Sequence, residues 1–139
     1  MVPRLKVLFY LVPLLPVSAI AAGDAVSPEQ IPGAVSVDTA KAKELFDDGV
    51  IFVDVRSDKD WNAGRIPDAE HLNLKSTFNE ESFGALFSSK DEPAVIYCNG
   101  PKCLRSSKAA QKAVDWGYTN IYYFRTGFPS WKDAGYPVE

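Results

Sequence analysis

The chain has 139 residues, 18 acidic and 15 basic, giving a formal net charge of −3. That length holds one domain, and 46% hydrophobic with 24% charged residues is a globular rather than a disordered composition. A mildly acidic chain without a Lys/Arg cluster speaks against nucleic acid as a partner. Two cysteines and one histidine exclude a disulfide scaffold and a closed structural zinc site built from Cys and His alone.

The chain opens with an address. Arg4 and Lys6 precede an apolar run from Val7 to Val17, and Ser18-Ala19-Ile20-Ala21 places small residues where a signal peptidase cuts. The run is shorter than the roughly 20 residues of a spanning helix, and Pro13 and Pro16 interrupt it. Residues 1–21 therefore predict a cleaved signal peptide, a periplasmic or secreted protein, and no stable membrane insertion after cleavage. Both cysteines would then lie where oxidation is possible. Residues 22–33 carry Gly, Ser and two prolines without periodicity and predict a flexible linker, leaving 34–139 as the domain.

Within that domain Ala34–Val37 reads as a short strand. Thr39 is placed to cap a helix with apolar positions at Ala42, Leu45 and Phe46, and Gly49 stops it. Val50–Val55 is an almost unbroken β-branched and aromatic run, the pattern of a strand covered on both faces. Asp58–Ala63 and Phe78–Phe87 read as short helical pieces, with His71–Leu74 extended between them. Ala94–Cys98 is a second buried strand and Ile121–Phe124 a third. Between them Ser106–Trp116 sets Ala109, Ala110, Ala113 and Val114 on one helical face, with Gly117 as stop. Alternating strands and helices predict an α/β fold, a parallel sheet with helices on both faces. Chemistry in such sheets gathers beyond the carboxyl ends of the strands, here Asp54-Val55-Arg56 and Cys98.

Cys98 closes a strand, and Asn99-Gly100-Pro101-Lys102-Cys103-Leu104-Arg105 leads into the next helix. A thiol there faces loop N–H groups and a helix's positive end, which together cradle an anion and favour thiolate over thiol. Lys102 and Arg105 add positive charge, and Asn99 and Gly100 complete the candidate substrate-binding loop around the catalytic candidate Cys98. Such a nucleophile suits a small anionic sulfur, phosphorus or arsenic compound. Without the loop and helix start, a cysteine ending a strand would be an inert small hydrophobe. Asp54 and Arg56 either line this site or form a buried structural ion pair. His71 lies outside the loop, and Trp61, Trp116 and Trp131 read as packing residues.

Tyr97-Cys98, Arg105-Ser106, Ala109-Ala110, Gly127-Phe128-Pro129-Ser130-Trp131, Asp54-Val55-Arg56 and Gly64-Arg65-Ile66-Pro67-Asp68-Ala69 occur in the order of a known family. Together they make the chain from Val35 to Glu139 resemble a rhodanese domain of the single-domain sulfurtransferase type. The resemblance implies a sheet of about five strands. It also implies an enzyme that moves a sulfane sulfur from thiosulfate or polysulfide, through a Cys98 persulfide, to a thiol or cyanide acceptor. It implies no metal and no organic cofactor. The sequence departs from the family at four places. Six residues rather than the usual four separate Cys98 from Arg105, Arg65 and Asp68 replace His and Gly, Thr126 replaces the first of two glycines, and Pro101 removes one N–H donor.

Cys103, five positions after Cys98, has three readings: a thiol that resolves the persulfide, the partner in a resting disulfide, or an inert loop residue. Two rival functions follow. One is a non-catalytic or thiol-disulfide module in which the pair cycles or binds a soft metal ion. The other is an oxyanion phosphatase or arsenate reductase, which the six-residue spacing disfavours because those relatives place five residues between Cys and Arg.

Overall fold

The computed structural model describes residues 25–139, so the expected signal peptide at residues 1–21 lies outside the described residues. In chain order the elements are β1 (Ala34–Ser36), α1 (Thr39–Asp47), β2 (Ile51–Asp54), α2 (Asp58–Ala63), β3 (Glu70–His71), α3 (Glu80–Gly84), β4 (Ala94–Tyr97), α4 (Arg105–Asp115), β5 (Ile121–Phe124) and α5 (Gly127–Asp133). The strands pair in parallel as one five-stranded sheet ordered β1-β5-β4-β2-β3.

The central strand β4 is buried along its whole length, as its uninterrupted apolar run requires. Alternation along the strand divides its side chains between two layers. Ile96 and Cys98 join Val53, Val55, Ile121, Tyr123 and the alanine face of α4 on one side. Val95 and Tyr97 join Phe52, Phe124, Leu45 and Trp131 on the other. The cysteine thus ends the strand on the α4 side of the sheet, below that helix's N-terminus.

Several boundaries differ from the sequence expectation for local reasons. Asp38, not Thr39, caps α1: its carboxylate accepts the Lys41 N–H at 2.8 Å, and the Thr39 hydroxyl instead donates to Ser130 Oγ. The extended stretch His71–Leu74 shrinks to the two-residue β3, because the Asn73 carbonyl gathers the N–H groups of Ser76, Thr77 and Phe78 into a turn. The helical piece expected over Phe78–Phe87 is confined to Glu80–Gly84, where Asn79 and Ser82 form a reciprocal capping box.

Over residues 25–33, the described part of the linker expected at 22–33, the chain is docked rather than free. Ser27 is 3% exposed and Ile31 6%, and Ile31 belongs to the core on the α4 side. The Ser27 carbonyl accepts from Nε and Nη2 of Arg125 at 3.1 and 2.9 Å, and the Tyr123 hydroxyl donates to the Pro28 carbonyl at 2.9 Å. Residues 25–33 form a docked strap. Two apolar or small side chains at irregular spacing bury it, which is why no periodicity announces it.

Asp68 occupies the left-handed region at φ 61°, where the family resemblance places glycine. A non-glycine residue there carries roughly 1–2 kcal/mol of strain, partly relieved for Asp. Asp68→Gly should therefore raise stability by up to about 1 kcal/mol in urea denaturation; a loss of stability of that size would contradict the assignment of strain.

Candidate active site

The strand ends β2 and β4 deliver Asp54, Arg56 and Cys98 to one edge of the sheet. Cys98 is fully buried and disulfide-bonded to Cys103, with Cα atoms 6.3 Å apart. The intervening loop turns sharply. The Cys103 N–H donates to the Gly100 carbonyl at 2.9 Å, so Gly100-Pro101-Lys102-Cys103 is a β-turn with proline at its favoured second position. Gly100 has φ 112°, open to glycine and strained for other residues.

The loop is held from outside at three points. The Ser27 N–H and hydroxyl both donate to the Pro101 carbonyl, at 2.7 and 2.8 Å. The Phe128 N–H donates to the Cys98 carbonyl at 2.9 Å. Gly127 has φ 61° and lies so close that a Cβ on it would sit 2.2 Å from the Cys98 carbonyl oxygen and 3.1 Å from the Gly100 nitrogen. Thr126, which stands where the family has its first glycine, has an ordinary φ of −73° and its Oγ1 accepts from Ser130. A side chain is tolerated at Thr126 and excluded at Gly127.

The expected anion-binding residues take different positions. Lys102 is exposed at the crown of the turn and makes no ion pair among the described residues. Arg105 opens α4 and donates Nη1 to the Val55 carbonyl at 3.3 Å and to Asn73 Oδ1 at 2.9 Å, bracing the end of β2. Its Nε and Nη2 have no protein acceptor among the described residues and remain available to a ligand. Asn99 is exposed, with its side chain engaged: Oδ1 accepts from Arg56 Nη1 at 3.3 Å and Nδ2 donates to Asp60 Oδ2 at 2.8 Å. That donation from Asn99 is the main reason the Asp60 carboxyl is held below its ordinary value, against a smaller opposing effect of burial. With the folded value depressed, the contact is complete at neutral pH and is lost only as pH falls through the acid range.

Asp54 and Arg56 are a buried pair first. Arg56 Nε contacts both Asp54 carboxylate oxygens at 3.1 and 3.0 Å, and Nη2 reaches Oδ2 at 2.8 Å and the Gly64 carbonyl at 2.6 Å. The guanidinium lies over the Phe128 ring, 4.5 Å from its centroid. Both residues are nearly inaccessible, so they support the site through Asn99 rather than line it. Beneath them the Tyr97 phenol is pushed far above its ordinary value, by burial and then by the adjacent Asp54 carboxylate, and stays protonated. His71 stacks on Trp61 and its Nε2 lies 2.9 Å from the Arg56 carbonyl, away from the loop.

The first turn of α4 has no side-chain cap, which leaves its N–H groups to serve an anion. Ser106 in that turn is fully buried, and its Oγ has no hydrogen-bond partner among the described residues. An unpaired buried hydroxyl costs about 1–3 kcal/mol. Ser106→Ala should therefore stabilise the oxidised protein by about 1 kcal/mol in urea denaturation; destabilisation would show that the hydroxyl has a partner. Among the described residues no group of three or more His, Cys, Asp or Glu is arranged to hold a metal ion.

Ser27, Asp60, Asn73 and Gly127 carry this geometry and were not singled out individually by sequence reasoning. Only Gly127 had a signal, the closing Gly-x-x-x-Trp pattern. The other three act through single hydrogen bonds across long sequence separations.

A cysteine at the end of a central parallel strand, leading through a short loop into an uncapped helix, defines a cysteine-based anion site on an α/β sheet. Residues 38–134 match the family described as Rhodanese-like domain, and the chain belongs to that family. It is 31% identical over 99 residues to thiosulfate sulfurtransferase GlpE of Pseudomonas savastanoi, covering 71% of this chain and 87% of that one. Among solved structures it resembles the BH2092 protein of Bacillus halodurans with TM-score 0.66 and 27% identity, over 76% and 77% of the two chains. It also resembles RPA3614 of Rhodopseudomonas palustris, described as a protein of unknown function and possible tyrosine phosphatase. There the TM-score is 0.62 and the identity 30%, over 78% and 86% of the chains. Among the described residues no helix is long and apolar enough to cross a membrane.

Proposed function

We propose that the protein is a thiosulfate sulfurtransferase-like enzyme of the rhodanese family, exported from the cytoplasm, that carries a sulfane sulfur on Cys98. The observation that carries this reading is the placement of Cys98 at the end of β4, beside the uncapped start of α4.

The reaction begins from the reduced chain. The Cys98 thiolate attacks the outer sulfur of thiosulfate, a new S–S bond forms on Cys98, and sulfite departs with the electron pair of the broken bond. The free N–H groups of α4, the two unengaged donors of Arg105 and the charge of Lys102 oppose the dianion's charge. The persulfide sulfur then passes to a thiol or to cyanide. The relatives named thiosulfate sulfurtransferase support this donor. The phosphatase reading has weaker support, since six residues separate Cys98 from Arg105 and that side chain braces Val55 and Asn73. Export rests on the leader pattern at residues 1–21.

The test is thiocyanate formation from thiosulfate and cyanide. Reduced protein should be active, oxidised protein inactive until a thiol reductant is added, and Cys98→Ser, which cannot form the disulfide, inactive with or without reductant. Thiocyanate formation by Cys98→Ser at the rate of the unaltered chain would refute the proposal.

A further inference from the structure

The two residues by which the active site exceeds the family's usual length lie in a loop whose Pro101-Lys102 turn carries Cys103 back to within disulfide range of Cys98. The arrangement is built rather than incidental. Proline fixes one backbone angle of the turn in the unbonded loop as well, and Ser27 grips the Pro101 carbonyl with two hydrogen bonds. Two thiols held on so short a tether meet at a high effective concentration.

We propose that Cys103 is a resolving thiol, which makes the protein a dithiol-dependent sulfide-releasing enzyme; this rests on the reading of Cys98 as sulfur carrier. The Cys103 thiolate attacks the inner sulfur of the Cys98 persulfide. The Cys98–Cys103 bond forms, the persulfide S–S bond breaks, and hydrosulfide leaves with its electron pair. The closed disulfide of the structure is the product of that step. An external dithiol then reopens it, losing two hydrogens as it becomes a disulfide itself. Over a cycle thiosulfate and a dithiol become sulfite, sulfide and an oxidised dithiol.

Burial determines where the dithiol enters. Cys98 is fully buried, whereas Cys103 is only partly so. Attack falls on the Cys103 sulfur, and Cys98 departs as the thiolate that begins the next cycle beside the positive end of α4.

A single turnover tests the proposal. Protein is fully reduced, freed of reductant and given thiosulfate, and sulfite, sulfide and intact mass are followed for the unaltered chain and Cys103→Ser. The unaltered chain should release sulfite and sulfide in equal amounts and finish two hydrogens lighter than the reduced form. Cys103→Ser should release the same sulfite, no sulfide, and finish one sulfur heavier, its sulfite burst also showing that it is folded. Sulfite without sulfide from the unaltered chain overturns the resolving role and leaves the carrier reading standing. No sulfite from either chain overturns the carrier reading and the proposal with it.

Discussion

Gly127→Ala should destabilise the protein by about 3 kcal/mol or more, the sum of left-handed backbone strain and overpacking against a wall that cannot yield. The obstacle is backbone: the added Cβ would lie 2.2 Å from the Cys98 carbonyl oxygen and 2.9 Å from its carbonyl carbon. Relief requires either α5 or the start of the active loop to move, so sulfur transfer should fall even where the variant remains folded. Thr126→Gly is the matched control. Thr126 is exposed with an unstrained φ, and its loss should cost no more than about 1 kcal/mol. Urea denaturation of the two variants checks the contrast, and equal effects would contradict the close approach.

Breaking the ion pair at the end of β2 has an effect of similar size by a different route. Asp54→Ala leaves the Arg56 guanidinium in a site where its side chain is 3% exposed, and removing one member of such a pair costs about 3–5 kcal/mol. The replacement Asp54→Leu with Arg56→Met removes both charges and should recover much of that stability, because neither remains buried and unpaired. Activity should not recover with it. Arg56 also holds Asn99 Oδ1, so the double variant releases the residue that follows Cys98. Stability restored together with full activity would show that the pair has no bearing on the site.

What could be read from the sequence depended on how far each feature spreads along the chain. β2, β4 and β5 declare themselves as apolar runs, and α4 as an alanine stripe, because burial there is continuous or periodic. The five-strand parallel α/β architecture followed from those elements and the family resemblance. α5 is seven residues long and begins Gly-Phe-Pro, too short for periodicity, and it surfaced only as a signature ending in Trp131. The strap at residues 25–33 reads as a linker because only Ser27 and Ile31 of it are buried and its further anchor, the Pro28 carbonyl, is backbone that any residue supplies.

The site shows the same division. Cys98 could be picked out because strand, loop and helix start are all legible around it. The destinations of long polar side chains could not be. Arg105 braces the carbonyl of Val55 and the amide of Asn73, and Asn99 bridges Arg56 and Asp60. Spacing places their Cα atoms near the loop without fixing which acceptor the side chain finds. Cys103 had three possible roles from its spacing, and the turn at Pro101 explains how the thiols meet.

Cys98 as the sulfur carrier is tested most directly by intact mass spectrometry of the reduced Cys103→Ser chain after exposure to thiosulfate. With no second thiol to remove it, the transferred sulfur should persist as a gain of one sulfur atom that peptide mapping places on Cys98, with an equal amount of sulfite released. An unchanged mass in a folded Cys103→Ser chain, or a gain that also appears in Cys98→Ser, would contradict it.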